Sequence, residues 1–167
     1  MLHVEPGIRD WLFDKDSLTR RLTALAQGAF DVYLLHEGWQ PLRDDECQVL
    51  GLPNQSTGWA REVLLRGNQV PWVFARSVAG KIALQAEGFD LESLGTRSLG
   101  ELLFSDAAFA RGPLSASRQP YPSQLEQDGP DLWARRSLFQ RKSLGVLVME
   151  VFLPALWDAN ANASSSE

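Results

Sequence analysis

The sequence predicts an α+β fold, an antiparallel β-sheet flanked by helices, and three observations carry that expectation. Apolar segments of strand length occur in pairs joined by short turn-forming sequences. Helical periodicity is confined to stretches before and between those pairs, a segregation that opposes a βαβ repeat. Three charged residues, Arg61, Arg76 and Glu150, occupy strand positions whose same-face neighbours are bulky and apolar. An unpaired buried charge costs on the order of several kcal/mol. Such residues therefore face a partner, water or a ligand, and here they suggest a pocket for a small, largely hydrophobic organic acid.

Residues 7–26 read as an amphipathic helix broken near its middle. Trp11, Leu12, Leu18, Leu22 and Leu25 recur at helical spacing, Asp14 to Ser17 supplies the break and a new N-cap, and Gly28 ends the second piece. Residues 30–36 form the first strand, followed by a polar, turn-prone stretch to Pro53. The segments 58–66 and 70–78 make a hairpin with a type II′ turn at Gly67 and Asn68. That turn opposes Trp59 to Arg76 and Arg61 to Phe74, so both arginines lie on one sheet face, where Trp72 and Phe74 flank Arg76. Two cations so close call for an anion between them.

Residues 81–87 and 98–104 read as two helical pieces. The stretch 111–130 holds four prolines and reads as a long surface loop with room for a short strand. A second hairpin joins 131–141 to the strand around Glu150 across Ser143, Leu144 and Gly145. It opposes Glu150 to Leu138, diagonal to Arg136, and one of Arg135 and Arg136 must face outward. Pro154 ends the last strand. The expected organisation is one domain over residues 1–157 and a disordered tail over 158–167.

The chain of 167 residues is 44% hydrophobic and 22% charged, with a net charge of −5. That balance is ordinary for a globular domain and opposes nucleic-acid binding. Cys47 stands alone, so no internal disulfide forms. No signal peptide or membrane-spanning run is visible, and the expectation is a cytoplasmic monomer. The sequence has no Gly-rich phosphate loop, no Gly-x-Ser-x-Gly elbow and no cluster of metal ligands, and His3 and His36 are isolated. No metal or other cofactor is expected. Arg61, Arg76 and Glu150 remain, with Arg135 and Arg136 in reserve, and the rigid fork of arginine suits recognition of a carboxylate.

Six segments then carry a resemblance. They are residues 10–12 with 16–20, the run Trp-Ala-Arg-Glu-Val-Leu-Leu at 59–65, 71–72 with 75–76, 99–100 with 103–104, Leu-Trp-Ala-Arg-Arg-Ser at 132–137, and Glu-Val-Phe-Leu-Pro at 150–154. In this order the chain resembles the chorismate pyruvate-lyase family over nearly its whole length. The resemblance implies a ligand cavity enclosed under helical flaps and cofactor-independent conversion of chorismate to 4-hydroxybenzoate and pyruvate for ubiquinone biosynthesis. It implies that Arg61 binds the ring carboxylate with the backbone amide of Leu99, that Glu150 holds the ring hydroxyl, and that Leu18 touches the ligand from a flap. Arg76 is also associated with activity, and is expected to pair with the enolpyruvyl carboxylate or its departing oxygen. Leu18 stands where the family has methionine, and Ala75 where it can have glycine. The other reading is a non-catalytic domain of the same fold that senses a small aromatic acid, as in some bacterial transcription regulators.

Overall fold

The computed structural model describes residues 4–91 and 94–165. The elements run α1 (Pro6–Leu12), α2 (Leu18–Leu25), β1 (Phe30–Pro41), α3 (Asp44–Leu50), β2 (Thr57–Gly67), β3 (Val70–Gly80), α4 (Lys81–Glu87), α5 (Leu99–Ser105), β4 (Ala110–Arg111), β5 (Ser115–Gln119), β6 (Leu132–Arg141), β7 (Leu144–Phe152) and α6 (Pro154–Ser165). The strands form one open antiparallel sheet in the order β1-β2-β3-β7-β6-β4, with β5 also on the outer edge of β6. Among the described residues no helix is long and apolar enough to cross a membrane.

Both faces of the sheet are covered, and the central strands β2 and β3 are accordingly buried almost throughout. On one face, α1, α2 and α6 pack Trp11, Leu22 and Leu156 against Leu65, Val73 and Phe152. Further along the same face, α4 and α5 set Leu84, Leu99 and Leu103 against Ala79, Val146 and Val148. The opposite face carries α3, whose Cys47 packs with Ala60, Val78 and Leu147. Each fully buried Leu, Val or Phe contributes roughly 1.5–3 kcal/mol.

The break between α1 and α2 falls where expected, and the Ser17 hydroxyl accepts the Arg20 amide as N-cap. Three expectations are corrected. The polar stretch before Pro53 contains α3, with acidic residues in its first turn and Gly51 in the left-handed conformation after it. Residues 154–165 are helical rather than a tail disordered from 158, because Leu156 is fully buried and the Trp157 ring lies 5.6 Å from that of Phe152. Residues 166–167 lie outside the described residues.

The third correction concerns register. The β2–β3 turn is at Asn68 and Gln69, both at positive φ as in a type I′ turn, one residue later than expected. That displacement alone would set Arg61 opposite Arg76. A bulge then intervenes: Arg66 pairs with Pro71 but Leu65 pairs with Val73, leaving Trp72 as the extra residue of β3. Beyond it every pairing moves by one, so Arg61 faces Ser77 and Arg76 faces Glu62. A one-residue slip exchanges sheet faces, and Arg76 therefore lies on the face opposite Arg61. Gly67 is required not by the turn but by Trp72, whose ring occupies the place a Cβ would take. At the other hairpin the turn is Lys142 and Ser143, and Glu150 pairs with Arg135 rather than Leu138.

Gly67→Ala should overlap the buried Trp72 ring and destabilise the protein by about 1–3 kcal/mol. Urea unfolding would show this as a lower midpoint at unchanged slope, and an unaltered midpoint would contradict the packing role.

Candidate active site

Two rows of side chains cross the face that carries α1, α2 and α5. One runs Glu37, Arg61, Ser77, Val148 and Ser137 from β1 to β6, and the next runs Val63, Ala75, Glu150 and Arg135. Small residues at Ser77 and Ala75, between the charged ends, leave an internal space of about 30 Å³ lined by Arg61, Glu150, Ser77, Thr19, Ser98 and Leu99 among others. Its floor is the sheet and its roof is the start of α2 and α5. An adjoining open groove of about 740 Å³ shares Thr19, Val32 and Ser98 with it.

Arg61 is 2% exposed and spends its donors on three acceptors. It donates to Glu37 Oε2 at 3.1 Å, to the Gly95 carbonyl at 2.7 Å and to the Arg97 carbonyl at 3.1 Å. Arg135, 1% exposed, donates through Nε to Glu150 Oε1 at 2.8 Å and through Nη1 to the carbonyls of Trp11 and Asp14 at 3.2 and 2.9 Å. Both buried guanidinium groups thus grip a carboxylate from a neighbouring strand and the backbone of a loop beside the roof. The roof is latched across its middle. Thr19 Oγ1 and Ser98 Oγ are 2.7 Å apart, and Glu101 of α5 accepts from the Ser17 hydroxyl and from Arg20 Nε.

The expected site residues divide. Arg61, Glu150 and Leu99 line the space together, with Leu99 at the first position of α5 behind the Ser98 cap. Leu18 is buried in the core beneath α2, and its neighbour Thr19 reaches the space instead. Arg76 is not part of this face. It donates to both oxygens of Glu46 at 2.8 and 2.9 Å and to Glu62 at 3.2 Å, and Gln124 completes Glu62 at 2.9 Å. The expected anion between two arginines is therefore replaced, at Arg76, by two protein carboxylates. Trp72 and Phe74 pack into separate hydrophobic clusters on opposite faces rather than around a ligand. The ligand-sized enclosed cavity is also not present in this form, since small-molecule pockets measure about 300–1,000 Å³. A space of about 30 Å³ holds a water molecule or two. Sequence reasoning missed Glu37, Ser77 and Thr19. The pairing register places Glu37 and Ser77 here, and the packing of α2 over the sheet places Thr19.

With the geometry in hand, the fold identifies a class. The C-terminal domain of the histidine utilization repressor from Pseudomonas syringae superposes with a TM-score of 0.59 at 9% identity, over 75% of this chain and 92% of that one. The effector domain of PhnF from Mycobacterium smegmatis gives 0.58 at 11%, over 83% and 89%. At such identities the likeness is one of fold alone, a small α+β domain. Sequence separates this chain from them: the model of the chorismate lyase family matches residues 1–162, and the chain belongs to that family. A Pseudomonas aeruginosa protein named "Probable chorismate pyruvate-lyase" is 63% identical over 158 residues, covering 93% of this chain and 88% of its own. A protein of the same name from Pseudomonas putida is 60% identical over 153 residues, covering 90% and 82%.

The Arg76 cluster ties α3 to the sheet. Burial alone would raise the Glu46 carboxyl, but hydrogen bonds from Arg76 and the Arg43 amide, with the charges of both arginines, hold it below the usual glutamate value. A depressed folded-state value contributes stability that is present above the pH where an unfolded-chain glutamate titrates, about 4.3. That contribution is lost as pH falls through the lower folded value. Glu46→Gln should therefore flatten the loss of thermal stability between neutral and acid pH. Arg76→Ala, which strands two buried carboxylates, should cost about 3–5 kcal/mol. A denaturation series from pH 7 to pH 3 checks both; an unchanged midpoint for Arg76→Ala would contradict the bracing role.

Proposed function

We propose that the chain converts chorismate to 4-hydroxybenzoate and pyruvate without a cofactor, as a cytoplasmic monomer, at the first committed step of ubiquinone biosynthesis. The observation that carries this reading is the pairing of Arg61 and Glu150 across one internal space in a chain of this family. Chorismate has a ring carboxylate para to a ring hydroxyl, and an enolpyruvyl ether beside that hydroxyl. Arg61 on β2 and Glu150 on β7 stand two strands and one row apart, about 12 Å at the backbone. That separation suits a six-membered ring held between their side chains.

In the reaction the ring C–O bond to the enolpyruvyl group breaks and the hydrogen leaves the carbon bearing the hydroxyl. The ring becomes aromatic, and the departing enolpyruvate takes up the proton as pyruvate. Aromatisation supplies the driving force, so the protein's task is to position the dianion and exclude water. Arg61 anchors the ring carboxylate with the Leu99 amide. Glu150, whose Oε1 is fixed by Arg135, offers Oε2 to the hydroxyl and orients the ring. Opening at the Thr19–Ser98 latch admits the substrate, and reclosure seals it.

Purified protein mixed with chorismate in the absence of added metal should yield 4-hydroxybenzoate and pyruvate in equal amounts above the spontaneous background. Chromatography of the mixture decides this. Arg61→Ala should weaken 4-hydroxybenzoate binding about 10- to 100-fold in calorimetry, as expected for charge-assisted hydrogen bonds. Glu150→Gln keeps a hydrogen-bonding group. A large fall in its single-turnover rate at intact binding assigns proton transfer to Glu150, while an unchanged rate leaves the hydrogen to pass directly to the enolpyruvyl group. Intact chorismate beside tight 4-hydroxybenzoate binding would instead make the chain a sensor of aromatic acids.

A further inference from the structure

The relocation of Arg76 leaves the second carboxylate of the proposed substrate without a protein partner, and another arginine stands closer to the chemistry. Arg111, on the two-residue strand β4, pairs with Phe139 of β6 and sends its side chain over the site face. Its Nε donates to Ser137 Oγ at 3.2 Å, and its guanidinium lies 5.2 Å from the centre of the Phe139 ring. Its remaining contact is a long one, 3.4 Å from Nη1 to the carbonyl of Lys15 in the α1–α2 connection. Ser137 is buried and stands in register with Val148, which lines the internal space.

Among the described residues no carboxylate lies within ion-pair distance of Arg111, whereas Arg61, Arg76 and Arg135 each have one. Burial, together with the positive charge of Arg135, pulls the Arg111 guanidinium below the usual arginine value; Glu150 and Asp14 act in the opposite direction. The site face thus carries three inward arginines, Arg61, Arg135 and Arg111, against two paired carboxylates, Glu37 and Glu150. An excess cation held partly away from water beside Glu150 suits an anion of the substrate.

We propose that Arg111 binds the enolpyruvyl carboxylate of chorismate and holds it as the carbon–oxygen bond breaks. This inference rests on the lyase reading above. With the ring carboxylate at Arg61 and the hydroxyl at Glu150, one of the two ring orientations about that axis sends the ether on the adjacent carbon past β7, towards β6 and β4, and it is the orientation that brings the second carboxylate to Arg111. The carboxylate replaces the weak Lys15 carbonyl contact and meets a planar fork already braced by Ser137 and Phe139.

The test compares two ligands that differ in that one carboxylate. Arg111→Gln should lower kcat/KM for chorismate at least tenfold while leaving the calorimetric Kd for 4-hydroxybenzoate within twofold. Arg111→Lys, which keeps the cation without the fork, should recover part of the loss, and it carries the same comparison if the Gln variant fails to fold. Wild-type kcat/KM in Arg111→Gln would overturn the assignment. So would an equal loss of 4-hydroxybenzoate affinity, because that product has no enolpyruvyl group. Wild-type protein inert towards chorismate would instead remove the lyase reading, and this inference with it.

Discussion

One extra residue in β3 sets the side of the sheet on which every later charge falls. Trp72 lies outside the β2–β3 ladder, its ring against Gly67, and Pro71 beside it has no amide to contribute to the ladder. Without the bulge, the turn at Asn68 and Gln69 would oppose Arg61 to Arg76, two like charges directly across a pair of buried strands. With it, Arg61 meets the small Ser77, and Arg76 reaches the carboxylates of Glu46 and Glu62 on the opposite face. The bulge separates the charges that brace the fold from those that line the cavity.

The two sets are built differently. Around Arg76 both oxygens of Glu46 and one of Glu62 are engaged by the guanidinium, and α3 is held to β2 and β3 by that closure. A buried network satisfied in this way rigidifies its surroundings, and removing one member leaves charges stranded. On the site face Arg61 and Arg135 each divide their donors between a strand carboxylate and neutral carbonyls of the 95–97 and 11–15 segments. Carbonyl oxygens are weaker acceptors than carboxylates, so part of each of these guanidinium groups is held less tightly than that of Arg76.

Much of this was legible in the sequence. The α1–α2 break at Ser17, the two central hairpins and the sheet face of Arg61 and Glu150 follow from periodicity, capping chemistry and the apolar neighbours of those charges. Register did not follow, because glycine marks more than turns: Gly67 makes room for Trp72, while Asn68, Gln69 and Lys142 take up the positive φ angles. Face alternation still placed Arg61 and Glu150 correctly, since each shares its face with its own strand neighbours whatever the partner strand does. Arg76 was misplaced because its relation to Arg61 depends on counting across the bulge. The helix α6 was hidden by a run of alanine, asparagine and serine whose anchors, Leu156 and Trp157, stand at its start. Arg111 lay at the edge of a proline-rich stretch, where only tertiary pairing with β6 reveals what it faces.

Glu101 has a consequence for how the molecule responds to salt. It is the carboxylate through which α5 receives both Ser17 and Arg20, and it is 30% exposed at the side chain, with Arg20 at 64%. A half-wet ion pair is worth about 0–1 kcal/mol and is screened by ordinary salt. The ionic part of the contact between α2 and α5 is therefore weak. Salt loosens that part of the contact and leaves the neutral Thr19–Ser98 contact beside it unaltered.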